Sequence, residues 1–262
     1  MDPLPFGAGG FAVSGVAMRP APLPTPASSG KALGIMASKT SSKFPPNADQ
    51  ARLKTLGKQV RERLAANPAV YKVPAEEAEI FAVGDFLTGA ECAKMMELID
   101  ATAKPSKVFD LDYSSGYRTS YSGDVDPCDP FVKKIGRRID DLLGMDPSFG
   151  ETIQGQRYMP GQEFQPHHDW FHPETSYWDF EMGRGGQRSF TTMAFLNEVE
   201  VGGTTDFTDL GLSIEPKPGV LLIWNNAKPD GLTNPMTIHA GRPVQAGAKY
   251  IFTKWYRTRK WH

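Results

Sequence analysis

Five histidines occur in the 262 residues, and three of them, His167, His168 and His172, fall within six positions beside Asp169. In an extended segment side chains alternate, so His167 and Asp169 point to one side and His168 to the other. A second signal is His239, which sits in the mostly apolar run from Met236 to Ala240. Two imidazoles and one carboxylate on one face of a metal leave the remaining positions open, which is the donor set of non-haem Fe(II) centres that use O₂. Taken alone, a His-x-Asp pair reads first as a polar surface turn, and a lone strand histidine most often as a satisfied core residue.

Ten residues after His239 comes Lys249, in a strand expected over 249 to 256. Lys249, Ile251, Thr253 and Trp255 share one face and Tyr250, Phe252, Lys254 and Tyr256 the other, so one of the two lysines is expected to point inward. A buried ammonium needs an anion, because isolated burial of its charge costs several kcal/mol or forces neutralisation. That anion is either an internal Asp or Glu or the carboxylate of a bound ligand, unless the Lys249 end is simply solvated.

These residues need a scaffold. Hydrophobic residues make up 40% of the chain and charged residues 23%, a globular composition with enough apolar material for a core. Lys plus Arg number 29 against 30 Asp plus Glu, so the net charge of −1 offers no basic field to a phosphate backbone, and nucleic acid is not expected as a partner. Cys92 and Cys128 are too few for a disulfide framework, and no apolar run approaches the length of a membrane span. The chain reads as cytoplasmic and without a membrane partner. Its Phe6 to Met18 patch lacks a preceding basic region and fits a secretory signal poorly.

Three parts are expected: a disordered tail over 1 to 46, where Pro, Gly, Ala and Ser make up more than half of the residues; an N-terminal helix and linker over 47 to 77; and one domain over 78 to 262. Leu53, Leu56, Val60 and Leu64 mark the first helix. Thr88 with Glu91 forms a capping box for a second, and Asp129, Pro130 and Gly144 bracket a third. Strands are expected over 151 to 159, 188 to 196, 212 to 215, 220 to 224, 236 to 239 and 249 to 256. The pattern is α+β, with helices outside a β core.

The order of short motifs resembles the prolyl 4-hydroxylase branch of the Fe(II)/2-oxoglutarate-dependent dioxygenases, from Ala78 to Arg257. The resemblance is carried by Phe86-Leu87-Thr88-Gly89-Ala90-Glu91-Cys92, Tyr117-Arg118-Thr119-Ser120, Arg157-Tyr158-Met159-Pro160-Gly161-Gln162, His167-His168-Asp169, Phe195-Leu196-Asn197, Gly202 to Phe207, Pro216-Lys217-Pro218-Gly219, His239 to Val244 and Gly247-Ala248-Lys249. It implies a double-stranded β-helix (jelly roll) core with flanking N-terminal helices. It implies His167, Asp169 and His239 as catalytic iron ligands, and Lys249 with Tyr158 as the holders of the distal carboxylate of 2-oxoglutarate. It also implies O₂ as co-reactant, ascorbate as a helper, and release of succinate and CO₂.

The substrate implied is a proline in a peptide or protein; a small molecule or free amino acid is the enzymatic alternative, and a non-enzymatic cupin-like binding protein the alternative of another class. The aromatic stretch from Trp170 to Phe180, with Gly183, Gly185 and Gly186 behind it, is expected as a mobile lid. Trp170, Tyr177 and Trp178 would contact the substrate from it, and Arg118 from a separate segment. Nothing in the sequence speaks to the oligomeric state.

Overall fold

The computed structural model describes residues 12–13, 16–20, 42–106 and 116–262. Its three longer helices form where capping and spacing predict. Helix α1 (Gln50–Ala65) buries Leu53, Gly57, Val60 and Leu64 on one stripe. Helix α2 (Gly89–Thr102) starts at the Thr88–Glu91 capping box: Thr88 Oγ1 accepts from the Glu91 N–H at 3.2 Å and Glu91 Oε2 from the Thr88 N–H at 3.1 Å. Helix α3 (Pro130–Leu143) is capped by the Asp129 carboxylate, and Gly144 ends it at φ 66°, a left-handed conformation that costs glycine little. A short helix, α4 (Trp178–Arg184), lies in the aromatic stretch.

Two antiparallel sheets hold the rest. The larger has the spatial order β3 (Val70–Lys72), β4 (Ile80–Val83), β13 (Leu221–Asn225), β9 (Arg188–Phe195), β16 (Lys249–Arg257), β7 (Gln154–Tyr158), β6 (Tyr121–Asp124), β5 (Lys104–Pro105). The smaller runs β1 (Ala12–Val13), β2 (Val16–Pro20), β12 (Leu212–Ile214), β11 (Thr205–Phe207), β14 (His239–Gly241), β8 (Phe164–His167). A two-stranded ribbon joins β10 (Val201–Gly202) to β15 (Val244–Ala246). From β7 onward the chain passes back and forth between the two sheets, which is the winding of a double-stranded β-helix.

The central strands of the large sheet are buried on both faces. Phe190, Ala194, Leu221, Ile223, Phe252 and Tyr256 meet Val60, Met95, Ile99, Ile135 and Ile139 of the helices. The alternate residues Met193, Phe195, Leu222, Trp224 and Ile251 meet Phe207 and Ile214 of the small sheet. Both lysines of β16 therefore point inward, not one. Lys254 enters the helical layer, where its Nζ meets Asp140 Oδ1 of α3 at 2.5 Å, and Lys249 enters the space between the sheets.

Other expectations need correction. The strand expected over 236 to 239 is a 3₁₀ turn over Pro235–Thr237 and begins only at His239, because Pro235 has no N–H to pair and the Asn234 side chain accepts from the Met236 N–H at 3.1 Å. The supposed linker contributes β3, which pairs with β4 in the large sheet. Within the tail expected to be disordered, β2 pairs with β12 through Met18, Arg19 and Pro20, and Ser42, Lys43 and Phe44 all bond to the Asp179 carboxylate. Composition missed these because it weighs apolar surface, whereas edge pairing and carboxylate binding draw on backbone donors and acceptors. Residues 1–11, 14–15 and 21–41 of that tail lie outside the described residues.

Candidate metal and cosubstrate site

His167 is the last residue of β8 and His239 the first of β14, and the two stand opposite each other in the ladder with ring centroids 4.3 Å apart. Asp169 follows two residues later in a bend, and its Oδ2 lies 3.8 Å from His239 Nε2. One donor atom from each of the three residues falls within 4.8 Å of the others. Since β8 ends at His167, Asp169 reaches the same side through a turn rather than by strand alternation.

Each ring is oriented by its other nitrogen. His167 Nδ1 meets Gln165 O at 2.8 Å and His239 Nδ1 meets Thr237 O at 3.0 Å. A carbonyl only accepts, so both Nδ1 atoms carry the proton, which leaves Nε2 as the atom each ring can offer a metal. Burial, followed by the neighbouring His239, pushes the His167 pKa down to about 3, which keeps that ring neutral. Phe164 stacks on His167 at 3.6 Å and Trp224 stands edge-on to His239 at 4.9 Å. Two imidazoles oriented through Nδ1 and a buried carboxylate are a donor set that fits a divalent iron, and His168 takes no part: its Nε2 turns to Pro235 O at 3.0 Å.

Lys249 and Tyr158 face each other across β16 and β7 in the same cavity. Lys249 is 1% exposed, and its Nζ donates to Thr205 Oγ1 at 3.0 Å and Thr204 O at 3.4 Å. Among the described residues no carboxylate lies within ion-pair distance of it. Burial pulls its pKa down to about 7, against the weaker pull of Asp206. Asp206 is engaged elsewhere, accepting from Arg242 Nε at 2.6 Å and Ser213 Oγ at 2.6 Å. The Tyr158 hydroxyl donates to Gln156 Oε1 at 2.8 Å. Among the described residues, direct contact thus supplies no internal acid for this lysine.

The predicted substrate residues divide. Arg118 lines this cavity, 7% exposed, lying over the Phe164 ring at 4.7 Å and donating to Gln154 Oε1 at 3.1 Å. Trp170 lies on the other side of the ligand loop against His168 and His172, with ring centroids at 4.7 and 4.1 Å. Trp178 is 2% exposed and packs with Phe171 and Met182 in a separate small core, with Tyr177 against it, while its Nε1 donates to Phe44 O. It is a packing residue and does not line the cavity.

The helix α4 that closes this stretch is tied to the large sheet through ion pairs. Glu181 of α4 pairs with Arg257, Arg257 with Glu151 at 2.6 Å, and Glu151 with Arg188 at 2.7 Å. Arg188 lies 4.0 Å over Trp255 and reaches Asp169 O at 3.4 Å. Gly185 and Gly186 are a close-packed corner: a Cβ on Gly186 would fall 2.2 Å from Asp49 Oδ2, and at φ 79° the backbone there is left-handed. Sequence reasoning did not single out Thr191, Asn226, Gln156, Arg188, Trp224 or Trp255 as site residues. Their signal is tertiary, since they arrive from four strands, β7, β9, β13 and β16, and from the turn after β13.

Comparison with known proteins agrees with this geometry. The profile of the 2OG-Fe(II) oxygenase superfamily matches residues 153–257. The chain is 32% identical over 210 residues to a protein named probable prolyl 4-hydroxylase 8 of Arabidopsis thaliana, covering 71% of each. It is 31% identical over 208 residues to prolyl 4-hydroxylase subunit alpha-1 of Rattus norvegicus, covering 74% of this chain and 38% of that one. Among solved structures, the 2OG complex of the viral collagen prolyl hydroxylase of Paramecium Bursaria Chlorella virus-1 superposes with a TM-score of 0.53 at 26% identity, over 68% of this chain and 95% of that one. A prolyl hydroxylase from Trichoplax adhaerens shares the fold, with a TM-score of 0.53 at 14% identity over 80% of this chain and 96% of that one.

Proposed function

From the premise that this chain belongs to the prolyl 4-hydroxylase family of 2OG-Fe(II) oxygenases, we infer that it hydroxylates a peptidyl proline and converts 2-oxoglutarate and O₂ to succinate and CO₂. One observation carries the reading: two imidazole Nε2 atoms and one carboxylate converge in the cavity that also holds a buried lysine without a carboxylate partner among the described residues. His167, Asp169 and His239 would hold the iron. Iron bound there with its cosubstrate supplies the oxidising chemistry that inserts oxygen into a C–H bond.

The chain's own residues do the rest. Lys249, held by Thr205, offers a directed ammonium to the distal carboxylate, and Tyr158 turns its hydroxyl from Gln156 to the same group. The cavity walls, Phe164, Trp224, Ile251 and Trp255 among them, exclude water and raise the strength of both contacts. The buried indole N–H groups of Trp224 and Trp255 have no protein acceptor among the described residues, so they are left for a ligand or a water. Arg118 and Trp170 are the residues proposed to contact the peptide. Trp178 packs in the small core instead, and Tyr177 rests against that core.

Family membership removes the non-enzymatic cupin-like alternative. A small molecule as substrate is decided by experiment: the protein is given Fe(II), 2-oxoglutarate and ascorbate, and succinate release is followed with proline-containing peptides and with free amino acids. A gain of about 16 Da per peptide proline, matching succinate formed, is the expected result for oxygen insertion by such a site. Stimulation by free amino acids and by no peptide overturns the peptidyl reading.

A further inference from the structure

Asp169 is held from behind by a hydrogen-bond chain whose direction the geometry fixes. The Thr191 hydroxyl, fully buried, donates to Asp169 Oδ2 at 2.8 Å, and the Asn226 side-chain amide donates to Thr191 Oγ1 at 2.9 Å. A hydroxyl has a single proton, so once Asn226 occupies an acceptor site on Oγ1 that proton is directed to the carboxylate. Thr191 stands in β9 between Trp224 and Trp255, on the large sheet, whereas Asp169 belongs to the turn leaving the small sheet. The chain thus locks the ligand turn to the opposite sheet.

Asn226 is fixed through its backbone, donating to Ser189 O at 2.8 Å and accepting from the Asn234 N–H at 3.0 Å. Its side-chain Oδ1 is buried and has no partner among the described residues. Rotating the amide would satisfy that oxygen with the Thr191 proton, but would take the donor away from Asp169. The observed arrangement leaves one acceptor unmet and keeps the carboxylate hydrogen-bonded, an exception to the usual satisfaction of buried polar atoms that a role at the ligand explains.

We propose that Thr191 and Asn226 are positioning residues that hold the Asp169 carboxylate for the metal, and that they set metal affinity through the direction of one hydroxyl proton. The proposal rests on the reading of His167, Asp169 and His239 as metal ligands. The test is a titration of metal-free protein with Co(II), followed by Co(II) absorption and by tryptophan fluorescence, since Trp224 borders His239.

Binding by the unsubstituted protein that is lost in His167→Ala supports the ligand reading; equal binding by the two would sink that reading first. Against this control, Thr191→Val is expected to bind Co(II) about ten- to a hundredfold more weakly, the usual loss for an outer hydrogen bond to a metal ligand. Thr191→Ser keeps the hydroxyl and is expected within about threefold of the parent. Asn226→Asp substitutes an acceptor for the donor, draws the Thr191 proton toward itself, and is expected to match Thr191→Val. The double variant should be no weaker than Thr191→Val alone, because both changes break one chain.

Unchanged affinity in Thr191→Val, failure of Thr191→Ser to restore binding, or fully additive losses would each overturn the proposal. Should Thr191→Val not fold, the comparison passes to Asn226→Asp, with thermal melting of the metal-free protein as the folding control. A folded Asn226→Asp protein with parental Co(II) affinity overturns the proposal equally.

Discussion

His167 and His239 are direct partners across the β8–β14 ladder, one ending its strand and the other beginning it. Cross-strand pairing sets the spacing of the two residues, and the Nδ1 bonds to Gln165 O and Thr237 O set the direction of their rings. Asp169, placed by a turn outside that ladder, takes its support from Thr191 on the opposite sheet.

Replacing any one of His167, Asp169 or His239 by Ala is expected to abolish turnover and to weaken metal binding severely, because two protein donors hold Fe(II) poorly. His168→Ala, whose ring bonds only a backbone carbonyl at Pro235, should remain active. Turnover measured beside Fe(II) or Co(II) affinity checks both, and an inactive His168→Ala beside an active His167→Ala would reverse the assignment.

Lys249→Ala is expected to raise the 2-oxoglutarate requirement about ten- to a hundredfold, since a charge-assisted contact in a sheltered site is worth roughly 1.5–3 kcal/mol. Metal affinity should be preserved, because Lys249 touches Thr204 and Thr205 and none of the three ligands. A titration of 2-oxoglutarate that is unchanged in the folded variant would remove the lysine from the site.

The same lysine predicts a pH dependence of cosubstrate binding. Burial lowers its pKa to about 7 in the free protein, and a bound carboxylate favours the ammonium and raises it. Below pH 7 the charge is already present, so affinity is level. As pH rises above 7, binding must take up a proton and affinity falls, by up to about tenfold per unit until the pKa of the complex is reached. Lys249→Arg, charged throughout, should show a flat profile over pH 7–9 if it binds, and a sloping profile there would place the titration on another group.

Residues 42–44 are expected to matter for stability. A chain beginning at Asn47 loses the three donors that Ser42, Lys43 and Phe44 give Asp179, and the acceptor of Trp178 Nε1. It should melt below one beginning at Ser42, by about 2–4 °C for each kcal/mol lost in a domain of this size. Equal melting temperatures would show that this clasp contributes nothing.

Trp178→Ala should act as a core mutation, costing about 3–5 kcal/mol of stability, because the ring is packed between Phe171 and Met182. In whatever fraction stays folded, 2-oxoglutarate affinity should be unchanged. A stable variant with selectively altered peptide turnover would return Trp178 to the peptide surface.

Much of the architecture is legible in the chain itself because it is written in local chemistry. Caps at Thr88 and Asp129, the stop at Gly144 and the apolar periodicity of Leu53, Val60 and Leu64 act within one or two turns of helix, so sequence spacing specifies them. The order of motifs around His167, Asp169, His239, Lys249 and Tyr158 likewise named the residues that the fold gathers into one cavity. The sequence could not say that both Lys249 and Lys254 are buried. Alternation assigns them to opposite faces of β16, and only the helical layer on one side and the small sheet on the other make both faces interior.

It was also silent on which aromatics are walls and which are packing. Trp178 and Trp255 are the same residue type, but one is closed off by Phe171 and Phe44 and the other lines the cavity. The hydrogen-bond chain from Asn226 through Thr191 to Asp169 shows the limit most sharply: it joins residues from three separate parts of the chain. Side-chain identity and short-range spacing determined what each residue could donate, accept or coordinate. Which partner it met was decided by sheet pairing and layer packing, because those set distances between positions that covalent connection leaves unrelated.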